Sequence, residues 1–155
     1  MFLALGETIT AAQELTSWTE HYLKNKDVML KSIASITSNE NNWTFVVQKT
    51  DGTQQVVLVD PLFENVAVFV TRLQQDTNTV LVVLNTHKNL DRLIEHWQAL
   101  SQFPKLVVIF ANPDSAGEHR WLIFPHTHDK IAARKALRKG LESMFAMVDE
   151  YKEES

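Results

Sequence analysis

The chain has 155 residues, of which 45% are hydrophobic and 22% charged; that is ordinary globular material for one domain and excludes disordered or fibrous classes. It contains no cysteine, which removes disulfides, thiolate metal sites and a cysteine nucleophile, and which fits a reducing compartment. A net charge of −4 excludes a surface coated in basic charge for sequence-blind binding to nucleic acid, and apolar runs of about five residues exclude a spanning helix, which needs about 20.

Phe2–Leu5 is too short for the apolar region of a signal peptide, and no basic stretch precedes it. The expectation is a soluble cytoplasmic protein without membrane association. Thr10 and Gln13 stand at capping-box spacing, and Ala11, Leu15, Trp18 and Tyr22 then recur at helical intervals. This predicts a first helix from Thr8 to Lys26, closed by Asn25-Lys26-Asp27. Val28 to Thr37 admits helix or strand; its Ser-Ile-Ala-Ser-Ile-Thr run lacks strong helix formers, so a strand is expected. Ser38–Asn42 is a polar turn. Trp43–Lys49 and Gln55–Val59 are β-type runs joined around Asp51-Gly52, a hairpin signal, and Asp60-Pro61 ends the second of them.

Leu62 to Gln75 carries two patterns. Val66–Val70 has strand propensity, while Pro61 and the spacing of Leu62, Val66, Phe69, Val70 and Leu73 suit a helix. Both readings stand, with helix the working one. The centre of the chain is Thr79 to Pro113. Val80–Leu84 and Leu106–Ala111 read as buried strands, and Leu90, Leu93, Ile94, Trp97 and Leu100 between them form one face of an amphipathic helix. A strand, a crossover helix and a strand predict a parallel βαβ unit. His119–Phe124 is expected as a strand antiparallel to Leu106–Ala111. A long final helix follows from about His128 to Tyr151, with Ile131, Leu137, Leu141, Met144, Phe145 and Val148 turned inward and a frayed tail at Glu153–Ser155. Gly140 weakens that helix by ~1 kcal/mol relative to Ala, a cost that close packing would explain. The whole chain is thus expected to form a single α/β domain, residues 1–155, with a mixed β-sheet flanked by helices.

This order, α-βββ-(α or β)-β-α-β-β-α, resembles the restriction-endonuclease-like nucleases, the PD-(D/E)xK group that includes Holliday-junction resolvases. The resemblance covers Val28 to about Phe124 in topology. It implies Mg²⁺ held by an Asp at one strand end and a (D/E)xK on the next, with the Lys orienting or activating water. The candidates for those roles are Asp60, Glu64 and Lys88. The match then departs from the pattern. Asp60-Pro61 has the letters reversed, and Asn65 replaces a carboxylate if Glu64-Asn65-Val66 occupies the turn. Asn85 and Thr86 are neutral where an acid and a base are needed, and Lys88 lies beyond the strand. The resemblance therefore supports a fold and argues against the family's chemistry.

Three further clusters carry chemistry on their face. His126 and His128, followed by Asp129, have metal-ligand character, with His119 and His87 as conceivable additions; the plain alternative is a helix start with Thr127 or His128 at its cap. Lys130, Arg134, Lys135, Arg138 and Lys139 form a basic cluster, with Arg134, Lys135 and Arg138 as candidate phosphate contacts. The plain alternative is a solvated face balanced by Asp149, Glu150, Glu153 and Glu154. Asn85, Thr86 and His87 follow a central strand and open a helix, where open α/β sheets bind ligands and helix N-termini attract anions. The four tryptophans fall at packing positions, and no nucleophile elbow supports a serine triad.

A well-formed core pattern beside a missing catalytic constellation predicts a non-catalytic, nuclease-like interaction domain, without cofactor, that binds a protein partner or assembles with itself. The alternatives are a metal-dependent nuclease or phosphoester hydrolase using Mg²⁺, and a nucleic-acid-binding protein without catalysis.

Overall fold

The computed structural model describes residues 10–152. The expected helix start at Thr8, the Phe2–Leu5 run and the Glu153–Ser155 tail lie outside the described residues. Thr10 and Gln13 do form the capping box that opens helix α1, Ala11–Leu30. The helix runs four residues past Lys26 because Asp27 stays helical and its carboxylate caps the exit. Asp27 Oδ1 accepts from the Ser32 amide at 2.6 Å, the Ser32 hydroxyl at 2.9 Å and the Ile33 amide at 3.1 Å. The ambiguous Val28–Thr37 stretch is thereby divided: Val28–Leu30 finish the helix, and the strand begins at Ile33.

Strands β1 (Ile33–Glu40), β2 (Trp43–Lys49) and β3 (Gln54–Val59) form the antiparallel meander. The β1–β2 turn is tighter than the polar stretch suggests. Glu40 pairs with Trp43, leaving Asn41 and Asn42 alone in the loop at φ 51° and 66°. Both residues of a primed hairpin turn need positive φ, which asparagine tolerates well. At the next turn Gly52 takes φ 90° and donates its amide to the Lys49 carbonyl at 3.1 Å, the bulged hairpin turn that favours glycine.

The segment after β3 resolves as helix, but a short one, α2, Val66–Arg72. Pro61 does not start it. Residues 60–65 form a loop in which Phe63 is fully buried at φ 48°, a left-handed conformation that a bulky side chain adopts only when its surroundings enforce it. Val66, Phe69 and Leu73 then turn onto the sheet.

Strand β4 (Asn78–Leu84), helices α3 (His87–Glu95) and α4 (Trp97–Leu100) and strand β5 (Leu106–Ala111) make the βαβ unit. β4 and β5 pair in parallel from Thr79↔Leu106 to Leu84↔Ala111. The crossover is two helices, broken at His96, rather than one. β6 (Arg120–Ile123) returns antiparallel to β5. The six strands lie in chain order β1 to β6, and β3, β4 and β5 are mutually parallel.

The long final helix does not form. In its place come α5 (Pro125–Ile131), a 3₁₀ turn at Arg134–Ala136 and α6 (Leu137–Phe145). Ala132 and Ala133 are extended between them. Arg134 turns back there, donating to Asp129 at 2.6 Å and to Gln98 at 2.9 Å. Gly140 meets no close packing: a Cβ there would find nothing within 4 Å.

One face of the sheet carries α2, α3, α4 and α6 over a core that includes Leu81, Val83, Val108, Phe110 and Trp121. Among the described helices, the other face carries α1 alone, whose Leu15 and Leu23 pack with Phe45, Val57, Val82 and Ile109. Alternate residues of β4 and β5 thus feed opposite cores, which is why both strands read as unbroken apolar runs. No helix among the described residues is long and apolar enough to cross a membrane.

Candidate functional site

Parallel strands end together, so the carboxyl ends of β3, β4 and β5 bring Asp60, Asn85 and Asn112 to one edge of the sheet. In open α/β sheets such an edge forms the usual ligand crevice. Here the chain's own residues 148–151 fill it.

Asn85 is fully buried, and all of its side-chain groups are engaged. Its Nδ2 donates to the carbonyls of Val148 at 3.0 Å and Asp149 at 3.1 Å, and its Oδ1 accepts from the Trp121 indole at 2.8 Å. Asn112 repeats the arrangement one strand over, donating to the Asp149 carbonyl at 2.9 Å. The Tyr151 amide donates to the Asn85 carbonyl at 2.8 Å. Val148 belongs to the core beneath α6, whereas Tyr151 packs on the core beneath α1. The segment is therefore a strap that crosses the strand ends from one face of the sheet to the other.

Thr86 caps α3, accepting from the Asn89 amide at 3.2 Å. The next residue, His87, donates its backbone amide to Glu150 Oε2 at 3.1 Å, and its ring Nδ1 lies 3.1 Å from the same oxygen. A helix N-terminus favours an anion, and the anion it holds is the strap's own carboxylate. Burial pushes the Glu150 carboxyl up, but the bonds from His87 outweigh it and hold the group below its ordinary pKa.

Asp60 sits at the border of this edge. Burial and then the nearby Glu64 charge raise its carboxyl above the ordinary value, and the backbone amides of Phe63 and Glu64, followed by Arg92, offset only part of that rise. Glu64 and Lys88 are exposed. Asn89, which the sequence reading passed over, ties the Asp60 loop to β4: its Nδ2 donates to the Pro61 carbonyl at 2.7 Å and the Leu84 carbonyl at 2.9 Å. Asn112 carries no site reading in the sequence, and Asp149 enters there only as a balancing surface acid, not through the backbone carbonyl that Asn85 and Asn112 hold. Asn112 does have the same signal as Asn85, an asparagine directly after a buried strand, whereas Asp149 contributes through its backbone carbonyl, which no side-chain pattern marks.

The remaining candidates lie elsewhere. His126 and His128 both fall on α5, two positions apart and so on different sides of the helix. His126 Nδ1 is 2.8 Å from the Ser101 carbonyl, and His128 meets the Trp97 ring edge-on. No group of three or more His, Asp or Glu side chains placed to hold a metal ion exists among the described residues. Arg134, Lys135 and Arg138 do not share one helix: the first two lie in the 3₁₀ turn and the third in α6. Arg134 pairs with Asp129, and Arg138 with Asp91 at 2.9 Å. The two arginines of that cluster are therefore each paired with a nearby acid.

Fold and site together define a single-domain α/β protein with a six-strand mixed sheet whose strand-end crevice is filled in cis. No family model matches the chain, and the comparisons with curated proteins and with solved structures found no match.

Proposed function

We propose that this chain is a non-catalytic α/β domain that works by binding a protein partner or by assembling with itself. The observation that carries the reading is the strap. Asn85, Asn112 and the His87 amide, the polar groups of the strand-end crevice, already hold residues 148–151. A substrate there would have to displace a segment anchored in two cores. The scaffold is read as nuclease-like on the order of its elements alone.

The surface that supports this reading is the end of α1, where Val28, Met29 and Leu30 are consecutive and 63%, 88% and 67% exposed. A contiguous exposed apolar run of this kind marks interaction surfaces more often than it marks solvated helix. Light scattering and native mass spectrometry of the full chain are expected to give a dimer or a retained protein partner, lost in the Met29→Glu variant. A strict monomer that retains no partner contradicts the reading. So does cleavage of branched or single-stranded DNA with Mg²⁺ or Mn²⁺ that Asp60→Ala abolishes.

A further inference from the structure

On the face opposite α2, α3, α4 and α6, α1 lies across a six-stranded sheet that one helix cannot cover. Beside its C-terminal half a groove of about 170 Å³ remains. Its floor is apolar: Leu23 from α1, Val80 from β4, Val107 from β5 and Leu122 from β6. Leu30 and Phe124 stand at its mouth, 67% and 50% exposed. The floor side chains come from four separate elements; Leu23, Val80 and Val107 are themselves nearly buried, so only the mouth of the groove faces solvent.

The rim is basic. Lys26, Lys49 and Lys105 border the groove from α1, from the end of β2 and from the start of β5. Each sits at a defined place. The Lys26 ammonium lies 5.9 Å from the centre of the Tyr22 ring, and Lys105 donates to the Asp76 carbonyl at 3.4 Å. Lys49 lies near Asp27, whose carboxyl is held below its ordinary value, against burial, mainly by the hydrogen bonds from Ser32 and Ile33 and in smaller part by the Lys49 charge. Asp27 is the one acid among the lining residues, and its oxygens are turned to the Ser32 and Ile33 amides. Three cations against one committed carboxylate leave the rim positive in a chain whose overall charge is −4.

We propose that this groove binds a small anionic amphiphile, a carboxylate or similar anion with an apolar body of about six to eight carbons. Size selects that body. An apolar cavity of about 150 Å³ takes one benzene-sized group, so the groove holds a ring or a short acyl chain and not the several side chains of a bound peptide. Charge selects the head group, since an anion at the mouth meets lysines on three sides while its apolar part replaces water on the valine floor. The groove shares Leu30 with the surface proposed for the partner, but its lysines and its valine floor lie apart from Met29, so Met29→Glu tests the one reading and the lysine variants the other.

The test is a methyl-resolved NMR titration of the full chain with octanoate, with 1-octanol and a poly-glutamate peptide as parallel arms. Octanoate is expected to shift the methyls of Leu23, Val80, Val107 and Leu122 and to leave the opposite core unmoved. Octanol is expected to bind at least tenfold more weakly, and Lys49→Glu with Lys105→Glu to raise the octanoate Kd at least tenfold. Lys105→Glu alone, at an exposed position, gives a smaller rise in the same direction and guards against a folding defect in the double variant. Equal binding of octanol and octanoate, no groove shifts at millimolar octanoate, or a response to the acidic peptide alone overturns the proposal. The last of these would make the site a peptide surface instead.

Discussion

Asn85 shows what a single side chain decides here. Its amide nitrogen faces two carbonyls and its oxygen faces an indole N–H, so the position requires two donors and one acceptor. A carboxylate, which the nuclease pattern would place nearby, offers no donor and would stand against two carbonyl oxygens. The residue is thus suited to what surrounds it and is more than a neutralised acid. Asn85→Ala leaves those partners unsatisfied and is expected to cost about 2–3 kcal/mol in chemical denaturation. Asn85→Asp is expected to come closest to the parent near pH 4, where the protonated acid can still donate one bond. Its folded-state pKa is raised, so stability falls as pH rises from the unfolded value of about 4. A loss that does not vary with pH would show that the strap carbonyls do not face this side chain.

Asp129 illustrates the opposite sign. The hydrogen bond from Arg134, followed by that from the Trp97 indole, holds its carboxyl down to about 2. An unfolded Asp titrates near ~4. The group is depressed on folding, so its contribution is fully present above about 4 and is lost as pH falls through about 2. Carboxyl ¹³C NMR is expected to report the low midpoint in the parent chain and a shift upward in Arg134→Ala. A midpoint at the ordinary value in the parent would remove Arg134 as the anchor of the bend between α5 and α6.

At the scale of elements, legibility followed the range of the forces. The βαβ unit could be read because Val80–Leu84 and Leu106–Ala111 bury both faces and the Leu90, Leu93 and Trp97 stripe lies between them. The pattern is local, and the structure keeps it. The break before α6 was illegible because Ala-Ala-Arg-Lys-Ala is good helical material and the bond that opposes it, Arg134 to Gln98, spans 36 positions. Tertiary hydrogen bonds outweighed propensity there. The candidate site divides in the same way: Asn85 was found from its place after a strand, whereas its partners in the strap stand more than 60 positions away. Within α6, Gly140 has open space around it. Gly140→Ala is therefore expected to stabilise the chain by up to about 1 kcal/mol, raising the melting temperature by about 2–4 °C. An unchanged or lower melting point would mean that Gly140 serves a contact not seen in the isolated chain.

Across the whole molecule, two cores share one sheet, and the strap is the link between them. Val148 is buried with α6 on one face and Tyr151 packs with α1 on the other. With the strand-end edge closed, the binding roles proposed above fall on the α1 side, with its exposed Val28–Leu30 run and its lysine-rimmed groove. The account stands on the strap being closed in solution. Native-state hydrogen exchange of the Asn85 side-chain amide and the Tyr151 backbone amide tests this directly. If the strap is closed, both exchange only with the opening of β4 and β5, and truncation after Met147 abolishes the protection at Asn85. Rapid exchange at both sites while β4 and β5 remain protected would mean that the crevice stands open to a substrate, and the non-catalytic reading would fail.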